Sequence, residues 1–97
     1  MVDLHVTPMQ LRVLRFVAAW WLVEKDAPRI RDIAWHLNKS LSSANDHIQN
    51  LIMREMLHRI PGKKRGLTVT EKGHKVIEET TKEQLKRKRK RKKNVNA

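Results

Sequence analysis

The sequence predicts an α+β fold that is mostly α: a three-helix core, then a β-hairpin, then a C-terminal helix. Three observations carry the prediction. Apolar residues recur at helical spacing in three successive stretches before Leu57. Beyond it the period shortens to two brief β-compatible runs on either side of a turn that holds Pro61, Gly62 and Gly66. The hydrophobic residues, 39% of the chain, lie almost entirely before Ile77, so residues 1–84 are expected to form one domain and 85–97 a disordered polybasic tail.

The first helix starts at Thr7-Pro8, because threonine can cap free amides and proline at the first helical position loses no hydrogen bond. It is expected to run to about Lys25. Leu11, Leu14, Ala18, Trp21 and Leu22 share one face and Val13, Phe16, Val17 and Trp20 a second, a breadth that suits a central core helix or one buried partly in a second subunit. Pro28 interrupts the pattern. Ile30, Ile33, Ala34 and Leu37 resume it over a short helix closing near Asn38, a residue suited to a C-cap. Ser40 can cap a third helix, whose inward stripe is Leu41, Ala44, Ile48, Leu51 and Ile52, with Met56 and Leu57 just beyond. So tight a link between two helices makes a helix-turn-helix unit.

Leu57-His58-Arg59-Ile60 and Leu67-Thr68-Val69-Thr70 then pair as a hairpin tipped by three bases. Thr70 can cap the last helix, with Glu71 complementing the dipole of its first turn. Val76, Ile77 and Leu85 are its apolar contacts, and it is expected to fray after about Glu83.

Composition narrows the function. A chain of 97 residues has no room for a two-lobed enzyme, and the absence of cysteine removes disulfides, thiolate catalysis and Cys-ligated metals. The longest apolar stretch, Phe16 to Val23, is far short of the ~20 residues a bilayer crossing needs. Asp3 stands where a signal peptide would be basic, which points to a cytoplasmic, nucleoid-associated protein, or a nuclear one in a eukaryote. No two of the five histidines stand three or four residues apart, and the His58–Glu55 pair straddles a predicted helix end, so no metal site is expected. No phosphate-binding glycine loop, nucleophile elbow or zinc-protease motif is present; neither an enzyme nor a cofactor is expected.

The formal charge is +12 and the sequence pI about 10.8, which calls for a polyanion partner. The charge is uneven. Lys86, Arg87, Lys88, Arg89, Lys90, Arg91, Lys92 and Lys93 are consecutive, while residues 1–85 hold 14 bases against 10 acids. Such a run supplies affinity without selectivity for DNA, RNA, an acidic protein or an anionic lipid surface, or else serves as a solubilising extension.

The stretch from Thr7 to Glu79 resembles the DNA-binding core of MarR-type regulators. TPMQLRVLRFV is similar to their first core helix, IRDIAWHLNKSLSSANDHIQNLI to their helix-turn-helix and LTVTEKGHKVIEE to their exit from the wing, while GKKRGL resembles the short LexA-type wing. The resemblance implies a winged helix-turn-helix domain and a transcription regulator that binds double-stranded DNA as a homodimer. The resembled chains are longer, with terminal helices that build the dimer. Glu55 stands where such domains often place glycine after the recognition helix, so the helix would extend or its turn loosen. The basic run has no counterpart in them.

If the third helix packs as its stripe predicts, Ser42, Ser43, Asn45, Asp46, Gln49 and Asn50 face outward, with Ser40 at its start and Met53 at its end. Amides and hydroxyls there can read base edges in a major groove; the plainer reading is a solvated helix face. The helix has no Lys or Arg, so affinity would come from Lys63, Lys64 and Arg65 at the hairpin tip on the minor groove or phosphates, from Arg29, Arg31 and Lys39 on flanking phosphates, and from the tail. Trp20 and Trp21 cannot point the same way, and Phe16 with Trp20 is a candidate face for a dimer or protein partner. Trp35 is expected to be partly exposed. Two other classes stay open: a non-specific or architectural nucleic-acid binder, and an adaptor that docks proteins through its aromatic side chains.

Overall fold

The computed structural model describes residues 6–62 and 66–95, with the backbone alone for 86–95. The order is α1 (Pro8–Glu24), α2 (Ile30–Leu37), α3 (Leu41–Met53), β1 (Leu57–Arg59), β2 (Leu67–Val69) and α4 (Glu71–Val95). This is an α+β, mostly α fold with the winged helix-turn-helix arrangement.

Local chemistry sets each boundary. Thr7 Oγ1 accepts from the Gln10 amide at 3.1 Å and Gln10 Oε1 accepts from the Thr7 amide at 3.2 Å, a reciprocal cap with Pro8 in the first turn. Asn38 ends α2 in the left-handed region at φ 57°, which asparagine tolerates better than most side chains. Ser40 Oγ accepts from the Ser43 amide at 3.1 Å and starts α3. At the other end of α3 the Met56 amide donates back to Leu51 O at 2.9 Å across Glu55, whose φ is 62°. The turn is therefore tight and α3 does not extend; glutamate simply holds the left-handed conformation that glycine would take more cheaply.

The core sits where α1, α2 and α3 meet, closed by β2 and α4. Val13, Leu14, Val17, Ile33, Ala44, Ile48, Leu51, Met56 and Val76 are fully buried in it. Gln10, the buried polar side chain among the described residues, is satisfied, since its Oε1 also accepts from Arg54 Nη1 at 3.1 Å and so ties the start of α1 to the end of α3.

Four expectations are corrected. Leu22 is 82% exposed, because Trp21, one residue earlier and about 100° around the helix, takes the contact with the hairpin and leaves Leu22 outside it. Leu41 is 56% exposed: as the first residue of α3 it precedes the turn that packs on α2. Leu85 is exposed, since α4 has by then left the core. The helix does not fray after Glu83. Its backbone continues through the basic run to Val95, as lysine and arginine propagate a helix that a packed segment has already nucleated.

Candidate nucleic-acid interface

The third helix divides cleanly. Ala44, Ile48 and Leu51 anchor it in the core, so Ser42, Asp46, Gln49 and Met53, three and four residues apart, form the opposite ridge and are all exposed. Asn50 is exposed on one flank beside the half-buried Ser43, and Asn45 is half-buried on the other. Ser40 belongs to the cap, its oxygen already accepting from Ser43. The ridge thus carries one carboxylate, hydroxyl and amide groups, and a thioether, with no cation from Leu41 to Met53.

The candidate phosphate clamps are exposed but do not form one cluster. Lys39 immediately precedes the cap of α3, whereas Arg29 and Arg31 lie at the far end of α2, about 12 Å away by helical rise. Arg29 stands just before α2, its amide donating to Asp32 Oδ2 at 3.0 Å.

The hairpin follows directly. Its strands are antiparallel with Leu57 opposite Val69, His58 opposite Thr68 and Arg59 opposite Leu67. Leu57, Leu67 and Val69 face the core while His58 and Arg59 are exposed. Lys63, Lys64 and Arg65 lie outside the described residues, as do the side chains of residues 86–93.

What fixes the hairpin against α3 was not read from the sequence. Thr70 Oγ1 donates to Glu55 O at 2.6 Å and accepts from the Gly73 amide at 3.1 Å, joining the end of α3 to the start of α4. The Thr70 amide donates to Met56 O at 3.1 Å. A Cβ on Gly73 would overlap that same Met56 carbonyl oxygen and stand 2.7 Å from Val69 Cγ1, so only glycine allows α4 to approach so closely. Trp21 Nε1 donates to Leu67 O at 2.8 Å and ties α1 to the hairpin.

Of the aromatic side chains, Phe16 and Trp21 pack against the core while only partly buried. Trp20 and Trp21 are half-buried and Trp35 is 84% exposed. Phe16 stacks on the His36 ring at 4.5 Å and meets Trp20 at 5.6 Å, so the candidate partner face at Phe16 and Trp20 is a small cluster closed on one side by α2. Among the described residues no group of three metal-ligating side chains occurs, and no helix is long and apolar enough to cross a membrane.

No family model and no curated protein matches the chain by sequence. Solved structures match by fold. A point mutant of Staphylococcus aureus MepR superposes with a TM-score of 0.79 at 16% identity, over 92% of this chain and 66% of that one. An S. aureus MepR–DNA complex gives 0.70 at 20% identity, over 88% and 61%, and a mutant of Lactococcus lactis ZitR gives 0.64 at 21%, over 99% and 64%. The chain therefore spans just under two thirds of the length of these structures. The shared feature is the fold, the winged helix-turn-helix.

Proposed function

We propose that this protein binds double-stranded DNA and reads its sequence, acting as a small transcription regulator rather than as an enzyme. The observation that carries the proposal is α3. It is anchored by Ala44, Ile48 and Leu51, follows a tight turn after α2, and offers an exposed ridge of hydrogen-bonding side chains at the base of a hairpin. One of the matching structures, of the same fold, is a complex with DNA.

In this reading Ser42, Ser43, Asn45, Asp46, Gln49 and Asn50 enter the major groove, with Ser40 holding the helix end that faces the backbone. Lys63, Lys64 and Arg65, at the tip of a wing as short as the LexA type, reach the minor groove or phosphates, and Arg29, Arg31 and Lys39 bind flanking phosphates. The basic run at 86–93 adds affinity that is independent of base sequence. The partly covered aromatic pair Phe16 and Trp20, with Val23 beyond it at 76% exposure, is the face on which a second copy would pack.

Selection from a random duplex library with the full chain, at about 150 mM salt, tests the reading. An enriched motif supports it, and two-fold symmetry in the motif supports the dimer. Retention of duplex without enrichment would make the protein an architectural binder.

A further inference from the structure

Each base pair shows a different set of groups in the major groove. Guanine presents two acceptors, adenine an acceptor beside a donor, cytosine a donor, and thymine an acceptor and a methyl group. Reading guanine takes paired donors, which arginine or lysine usually provides. The ridge of α3 has neither. The nearest base, Arg54, sits at the C-cap and donates through Nη1 to Gln10 Oε1, on the side of α3 that meets α1.

What the ridge does have matches the other pair. Side-chain amides combine a donor with an acceptor, the complement of adenine N7 and N6, and Gln49 is on the ridge with Asn45 and Asn50 at its flanks. Met53 ends the ridge at 83% exposure and Leu41 begins the helix at 56%. Both are apolar side chains left in water beside an otherwise polar surface, and thymine methyl groups are the apolar features a major groove offers them. Asp46 is the exception and is equally informative. A carboxylate only accepts hydrogen bonds and is repelled by phosphates, so in mid-ridge it needs a base-edge donor; cytosine N4 offers one, whereas the adenine N6 donor lies beside the N7 acceptor, which repels a carboxylate and suits an amide instead.

Resting on the proposed DNA reading, we infer that α3 selects an A·T-rich major-groove sequence interrupted by one C·G pair, with Gln49 and its flanking asparagines on adenine, Met53 and Leu41 against thymine methyls, and Asp46 on the cytosine. Selection from a random duplex library is run with the full chain and with its Asp46→Asn and Gln49→Ala variants. Both positions are exposed, and an unchanged circular-dichroism melt shows that the variants fold.

The expected wild-type motif is dominated by A·T pairs around one preferred cytosine. Asp46→Asn lowers the preference for that cytosine roughly tenfold while total affinity rises, and Gln49→Ala lowers the preference at one A·T position by a similar factor. A guanine-rich motif, or one that both variants leave unchanged, overturns the inference and leaves sequence-specific binding standing. A pool with no enrichment overturns the DNA reading and this inference with it.

Discussion

The outer ridge of α3 and the basic run at 86–93 are opposites built into one short chain. The first holds hydroxyls, amides and a single carboxylate and no cation; the second holds eight cations in succession and nothing else. A ridge without positive charge gains little from phosphates and discriminates through hydrogen bonds that exist only on the right bases. A run of cations gains from every phosphate equally and discriminates nothing. The contrast suggests a division of labour in which α3 sets selectivity and the basic run sets strength.

The largest expected effect comes from removing one side of that contrast. Replacing every Lys and Arg of residues 86–93 by glutamine should weaken duplex binding by about a thousandfold near physiological salt and flatten the log–log salt dependence by up to about 7, if all eight reach phosphates. Fluorescence anisotropy across a salt series checks this. An unchanged slope would mean that the run does not touch the nucleic acid.

The converse change acts on the inner face of α3. Ile48 is fully buried between α3 and the core, so Ile48→Ala should cost about 2–5 kcal/mol of stability, a large share of what a small domain has. Urea denaturation reads the loss directly. The variant should keep salt-sensitive binding through the basic run and lose base preference. Gly73→Ala perturbs the other support of α3, where α4 meets the Met56 carbonyl. About 1–3 kcal/mol of destabilisation is expected there from overpacking, visible as a lowered thermal midpoint. The smallest change is a gain. Glu55→Gly relieves a left-handed glutamate and should stabilise the fold by about 1 kcal/mol in the same urea assay, with binding unaltered.

The parts of the fold that were legible in the sequence are those fixed by local chemistry. Thr7-Pro8, Asn38, Ser40 and Thr70 each end or begin a helix through bonds to residues no more than four positions away, and periodicity alone separates the two faces of α3. The misjudged positions depend on what lies across the chain. Leu22 and Leu41 fit a helical stripe as well as their buried neighbours do, and only the placement of the packed partners leaves them in water. Leu85 and the continuation of α4 to Val95 have the same origin, since periodicity does not say where a helix leaves its core. Gly73 and the Trp21 hydrogen bond to Leu67 O are contacts between distant segments, for which one sequence holds no direct signal. The candidate site was legible as a set of exposed polar residues on α3, because burial of Ala44, Ile48 and Leu51 determines what faces away from them.

The most direct test measures one ratio: the affinity for a selected duplex over that for a scrambled duplex of equal length, for the full chain with and without the cations at 86–93, between about 50 and 200 mM salt. The division of labour predicts that both affinities fall together when the cations are removed or the salt is raised, while the ratio stays constant. A ratio that collapses to one when the basic run is neutralised would contradict it, because selectivity would then reside in the tail and not in α3.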